Sequence, residues 1–263
     1  MKNKITSLFR SIIFQGFWEK VLHVSKIGMN HWGGASIYHS GEIKAMHYVK
    51  EKLKATSFTI FDIGANHGDY AKLAHAIFEG SARIFSFEPS THTYEILVNR
   101  TNKIDRILPY KIGFGEKEDQ LRLYSSGQGS SLASVYNLSQ PLATFKEEYS
   151  ELIDISTIDS FCKNNAIEVI DFMKIDIEGH ELYALKGAKE LLVNHKIKFI
   201  QFEFGECHID SRTFFKDFYD LLGSNYTLYR IVPNGLRKIN SYSAKLEIFH
   251  TANFLAEHNH IGH

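Results

Sequence analysis

Residues 61–70 read FDIGANHGDY, and residues 85–89 read FSFEP. An apolar strand ends in Asp62 and turns at glycine; one helix later a second apolar strand ends in Glu88. Strand, glycine turn, helix and strand open a βαβ unit, and an acidic residue after the second strand is placed to accept hydrogen bonds from a ribose. The turn itself is Asp62-x-Gly64-x-x-x-Gly68. That is not the G-x-G-x-x-G spacing that seats a pyrophosphate against a helix N-terminus, so an NAD-dependent oxidoreductase is disfavoured. The extra carboxylate repels a pyrophosphate and suits a cationic ligand. S-adenosylmethionine, with a sulfonium, an ammonium and a ribose diol, fits both acidic positions.

The same alternation continues outward. Strands are expected over residues 58–63, 83–87, 107–114, 169–175 and 197–204, with 121–124 as a possible hairpin extension. Helical spacing follows each of the first two, returns over 159–165 and from 181, where Gly187 interrupts it, and again over 213–222. The run 197–204 is nearly continuous in apolar residues, as a strand covered on both faces should be. A Pro233-Asn234-Gly235 turn between apolar runs signals a late hairpin. The pattern predicts an α/β three-layer sandwich with a mainly parallel sheet and a late antiparallel strand. Residues 125–150 are polar and rich in Gly and Ser, and read as a long acceptor-side loop. Residues 1–57 read as an N-terminal helical segment packing on or capping the core, and 58–263 as the Rossmann-like domain.

Composition narrows the class. With 263 residues and 44% hydrophobic content the chain can bury a sizeable core. A formal net charge of zero gives no electrostatic argument for nucleic acid. Two cysteines, Cys162 and Cys207, fit a reducing, cytoplasmic compartment, with Cys162 read as core and Cys207 as a bystander. No apolar run reaches the ~20 residues of a membrane span. Ile5, Leu8, Phe9, Ile12, Ile13, Trp18 and Leu22 recur at near-helical spacing beside Lys2, Lys4 and Arg10. They suit either a helix that covers the domain or one that makes peripheral membrane contact.

Ligands of open α/β sheets bind outside the carboxyl ends of the strands. Asp62, Glu88, Asp176 and Glu203 all fall at such ends. Gly64 and Gly68 permit close backbone approach, Asn66 tolerates an unusual turn, and His67 sits in the same turn. Residues 173–181, MKIDIEGHE, bring Lys174, Asp176, Glu178, His180 and Glu181 to the end of the fourth strand. Asp176, Glu178 and His180 are the candidate catalytic groups, although Lys174 and a carboxylate could equally form a structural ion pair. Fourteen histidines invite a metal reading, but there is no H-E-x-x-H and no C-x-x-C, and His258, His260 and His263 read as a solvated tail. No metal is expected.

These motifs occur in a fixed order: DIGAN-x-G-x-Y, FEP, Ser130-Ser131-Leu132, Thr157-Ile158-Asp159, KIDIEGHE with Leu185-x-Gly187-Ala188, Phe202-Glu203 and Asn253-Phe254-Leu255. Together they resemble the FkbM family of S-adenosylmethionine-dependent methyltransferases. The resemblance implies a class I methyltransferase fold and O-methylation of a hydroxyl on a sugar, glycan precursor or secondary metabolite. On that reading Asp62 and the Gly64–Gly68 turn hold the methionine end of the cofactor, and Glu88 takes the ribose. The segment from Gly113 to Glu116 lies near the adenine. His180 departs from the alanine or valine often found at its position, which leaves a special role open. The rival reading is a non-catalytic S-adenosylmethionine-binding or scaffold protein that keeps the fold.

Overall fold

The computed structural model describes residues 9–31, 37–127, 130, 132–138 and 146–260, with residues 146–148 described by their backbone alone. Two helices lead in, α1 (Ile12–Gly28) and α2 (Glu42–Leu53). The first βαβ unit follows: β1 (Phe58–Ile63), α3 (Asp69–Ile77) and β2 (Ala82–Phe87). Then come α4 (Thr91–Thr101), β3 (Ile107–Tyr110), β4 (Gly113–Phe114), β5 (Asp119–Ser125), β6 (Ala133–Ser134) and β7 (Lys146–Ser156). The second half runs α5 (Ile158–Asn164), β8 (Ile170–Ile175), α6 (Glu181–Lys186), α7 (Lys189–Val193), β9 (Ile197–Phe204) and α8 (Cys207–Asp210). It ends with α9 (Phe215–Leu222), β10 (Tyr226–Val232), β11 (Gly235–Lys238) and β12 (Ala252–His258).

The main sheet has eight strands in the order β11-β10-β12-β9-β8-β1-β2-β3. From β9 to β3 every pairing is parallel. The order reverses at β1, where the chain crosses to β8, and that is the switch point at which such sheets open a crevice. At the other edge β12 runs antiparallel to β9, and β10 and β11 add two more antiparallel pairings. The late antiparallel addition is therefore three strands rather than one.

Each strand carries two faces because its side chains alternate. Phe61, Ile63, Phe85, Phe87, Met173, Ile175 and Phe202 face α5, α6 and α9. Ile60, Ile84, Phe172 and Phe199 face α2 and α3. On α2 the buried positions are Glu42, Ala45, Met46 and Val49, which is the i, i+3, i+4, i+7 stripe of a helix laid on a sheet. Burying Met46 alone contributes about 1.5–3 kcal/mol. α1 differs, since none of its residues is buried. Ile5 and Leu8, the first apolar positions of its sequence pattern, lie outside the described residues.

Further expectations change, first the strand expected over 107–114, which splits into β3 of the main sheet and β4 of a smaller one. The interval 125–150 is not one loop: β5, β6 and β7 form a small second sheet with β4, in the order β4-β7-β5-β6. Residues 146–150 belong to a strand, while 128, 129, 131 and 139–145 lie outside the described residues. The polar composition misleads because this sheet buries only one face, carried by Leu123, Ile153 and Ile155. His258 is likewise no solvated tail residue, being buried on β12 with Nε2 3.0 Å from His195 Nδ1; His263 lies outside the described residues. The break at Gly187 is real, with α6 ending at Lys186 and α7 starting at Lys189. A Cβ there would lie 2.1 Å from the Gly115 carbonyl oxygen, so only glycine lets the two segments meet.

Candidate functional site

A cleft of about 390 Å³ opens outside the carboxyl ends of β1, β2 and β8, under the small sheet. Its first wall is the turn after β1. The amides of Gly64 and Ala65 both donate to the Phe87 carbonyl, at 3.0 and 2.9 Å, which ties this turn to β2. Gly64 has φ +78°, and a Cβ on it would sit 1.8 Å from the Asp176 carbonyl oxygen. Glycine is thus required both for the left-handed turn and for the approach of β8. Asn66 follows at φ 48°, a conformation that asparagine tolerates best among non-glycine residues.

Glu88 closes this wall and is 7% exposed. Its Oε2 accepts from the Asn66 amide and its Oε1 from the Ser90 amide, each at 3.0 Å. An ionised carboxylate offers about four acceptor sites, so two remain for a ligand. Burial pushes its pKa up to about 7 against the pull of those two amides.

Beneath the turn runs a polar row. Strand register sets Ser86, Asp62, Lys174 and Gln201 side by side across β2, β1, β8 and β9. These end the sheet face that packs on α2. Glu42, at the start of α2, accepts from Gln201 Nε2 at 2.7 Å and from Ser40 Oγ at 2.6 Å. Tyr70 donates to Gln201 Oε1 at 3.0 Å. The Lys174 ammonium lies 3.2 Å from Asp176 Oδ2 and 3.8 Å from Asp62 Oδ1. Burial works against its charge, but Asp176, Asp62 and Glu42 outweigh it and raise the pKa.

The far wall carries the candidate proton-transfer groups. The turn after β8 passes through Glu178 at φ 52° and Gly179 at φ 104°. Glu181 clamps it from within, its Oε1 accepting from the Ile177 amide and its Oε2 from the Gly179 amide, with His208 Nε2 3.0 Å from the same Oε2. Ser134 Oγ donates to the Glu178 carbonyl at 2.7 Å, which fastens β6 onto the turn. Glu178 Oε2 accepts from the Cys207 thiol at 2.8 Å. Burial and the neighbouring Asp176 push the Glu178 pKa up to about 8, and burial with the same neighbours raises that of Glu203 well above the carboxylate range. Asp176, Glu178 and Glu203 bring one oxygen each within 4.8 Å of one another, a set that could also hold a metal ion. His180 Nδ1 lies 3.0 Å from the Tyr136 hydroxyl, and its ring stacks on Tyr183. Burial lowers the His180 pKa against the opposing Glu181, so the imidazole is neutral at neutral pH.

Gly64, Asn66, His67, Glu88, Gly113, Asp176, Glu178 and His180 thus meet on one cleft. Three expected ligand residues do not line it. Asp62 is fully buried, because its strand position points it into the polar row, and it reaches the cleft only through Lys174. Gly68 starts α3 and packs against Leu97. Glu116 is exposed beyond β4, past the cleft wall that Gly113 and Phe114 form. Conversely, Glu42, Tyr70 and Tyr136 were not singled out by sequence, and Cys207 is no bystander. Only Tyr70 carried a signal, as the last residue of the DIGANHGDY run.

Among the described residues that line the cleft, Lys174 is the only lysine or arginine, against five carboxylates: Glu42, Asp69, Glu88, Asp176 and Glu178. Crossed sheet, switch point and acidic cleft define an α/β methyltransferase fold. The FkbM methyltransferase domain model matches residues 62–231, and the chain belongs to that family. It is 23% identical over 177 residues to the 2-O-methyltransferase NoeI of Sinorhizobium fredii, a match covering 64% of this chain and 71% of that one. It is 26% identical over 134 residues to the hexuronic acid methyltransferase AglP of Haloferax volcanii, covering 51% of each. The crystal structure of an FkbM methyltransferase from Methylobacillus flagellatus aligns with a TM-score of 0.48 at 22% identity, over 76% of this chain and 44% of that one.

Proposed function

We propose that the protein is an S-adenosylmethionine-dependent O-methyltransferase acting on a hydroxyl of a sugar or glycan precursor. The observation that carries this is Glu88: a buried carboxylate fixed by two amides at the end of β2, with acceptor sites left over beside the Gly64 turn. A ribose diol supplies the two donors such a group lacks. Asp69, Asp176 and the ionised form of Glu88 outnumber the single ammonium, which suits a sulfonium and opposes a pyrophosphate. Apolar Ile112, Phe114 and Ile155 beside Gly113 offer a purine a dry face.

When bound, S-adenosylmethionine supplies a methyl group already on a good leaving group. The protein's part is then to hold the acceptor oxygen in line and to take its proton. Asp176, paired with Lys174 and lining the cleft, is assigned as the base. Glu178, with its pKa near 8, carries a proton at neutral pH and can donate to a second sugar oxygen. The neutral imidazole of His180, fixed by Tyr136 and Tyr183, orients the acceptor from the other side. The name of NoeI supports an oxygen as the methylated atom, and that of AglP supports a sugar acid as the acceptor class. Mass spectrometry of glycans and small metabolites, from cells with and without this protein, should reveal a methyl-sized loss on one sugar-containing species. Identical profiles under conditions of expression would refute the reading.

A further inference from the structure

α1 has a surface unsuited to water. Sixteen large apolar side chains are exposed among the described residues, and nine of them fall between Phe9 and Ile27. Ile12 and Ile13 are 88% and 82% exposed. At helical spacing Ile13, Phe17, Val21 and Val24 share one side, flanked by Trp18, Leu22 and Ile27. Gln15, Glu19, His23 and Lys26 share the other. The apolar arc covers more than half the circumference, far broader than the narrow seam of a helix pair. Its side chains are bulky and partly aromatic, and Trp18 donates from its indole to the Phe9 carbonyl at 2.8 Å. Lys20 stands within this arc between Ile13 and Ile27, Arg10 lies just ahead of the helix, and Lys26 is on the polar side; together they outnumber Glu19, the lone carboxylate of residues 9–31. No helix among the described residues is long and apolar enough to cross a membrane.

The helix is also anchored in a telling place. Asn30 donates to the carbonyls of Ser40 and Ile231, at 2.8 and 3.0 Å, and His31 Nδ1 lies 3.2 Å from the His250 carbonyl oxygen. Two successive antiparallel pairings make β10 parallel to β9. Ile231, near the end of β10, and His250, just before β12, therefore lie at the carboxyl edge of the parallel strands, the edge on which the cleft opens. Ile37, six residues past His31, lines the cleft itself.

We infer that α1 is an interfacial helix that seats on an anionic lipid bilayer and holds the cleft's rim toward it. A broad apolar arc on a segment of net positive charge, with Lys20 set in the arc itself, is what the boundary between acyl chains and anionic headgroups accepts. This assignment is independent of the methyl-transfer reading, and it is tested without a turnover assay. The full chain is sedimented with vesicles of phosphatidylcholine, alone or mixed with phosphatidylglycerol. Binding to the mixed vesicles is expected, weakened about fivefold in Lys20→Gln and less in Lys26→Gln, whose side chain faces away from the bilayer. The double variant Ile13→Glu/Val24→Glu should lose on the order of tenfold or more in partitioning. Both sites are exposed, so its melting curve should match the wild type. The proposal is overturned if the wild type stays in the supernatant or if the double variant sediments as well as the wild type does. It is equally overturned if light scattering shows a dimer that the double variant splits while neither protein binds vesicles.

Discussion

Replacing Glu88 by Gln removes one carboxylate oxygen and puts an NH₂ group in its place. Whichever way the amide turns, one of the two backbone donors, Asn66 or Ser90, faces another donor. The remaining oxygen can serve one amide but no longer offers an anionic acceptor to a diol. Hydrogen bonds to a charged group contribute about 1.5–3 kcal/mol. Affinity for S-adenosylmethionine should therefore fall on the order of ten- to a hundredfold. The pKa near 7 adds a second signature. If the ionised form is the binding form, wild-type affinity should be about tenfold weaker at about pH 6 than at about pH 8, because the carboxyl must first lose its proton. The Gln variant should show no such slope. Titration calorimetry at the two pH values reads both effects, with a melting curve to confirm that the turn survives. Unchanged affinity in a folded Glu88→Gln protein would remove Glu88 from the ribose site and refute the cofactor placement.

Three further outcomes follow from the same geometry. Asp176→Asn keeps shape but loses basicity, so turnover should fall by about 10²–10⁴-fold with cofactor affinity nearly intact; calorimetry beside initial rates separates this from a binding role. Gly64→Ala places a methyl against the Asp176 carbonyl in a left-handed turn, which should cost on the order of 3 kcal/mol or more in denaturant unfolding, whereas Gly16→Ala in open space should not destabilise. Burial raises Asp62 to about 6, Glu88 to about 7 and Glu178 to about 8, from ordinary values of 3.8 and 4.5. The folded state then holds more protons than the unfolded one across that window, so stability falls as pH rises. The melting temperature of the ligand-free protein should drop between about pH 6 and about pH 8. His31, lowered to about 4 by burial, acts oppositely and costs stability as pH falls below its ordinary 6.5.

The parallel half of the sheet was legible because its strands are buried on both faces and read as apolar runs, and because Gly64 marks the turn after β1. Glu88 and the group after β8 were legible for the same reason, as polar residues at the ends of such runs. Of the small sheet of β4 to β7, only residues 121–124 of β5 were legible, as a hairpin extension; its other strands are short or polar and one face is solvated. Asp62 shows a subtler limit. Its place in sequence is a ligand position, yet one step of strand alternation turns it from the cleft to the buried row beside Lys174. Glu42 and Cys207 were illegible because their partners, Gln201 and Glu178, lie far along the chain, and only packing brings them together.

Methyl transfer to a sugar oxygen should take place in the cleft between Glu88 and Asp176. Its most direct test incubates the purified protein with S-adenosylmethionine carrying an isotopically labelled methyl group and a panel of sugars, hexuronic acids included. Labelled methyl should appear on a sugar oxygen, together with an equal amount of S-adenosylhomocysteine, and should be lost in Asp176→Asn. Tight binding of S-adenosylmethionine with no transfer to any acceptor would contradict it and leave a binding protein on a methyltransferase fold.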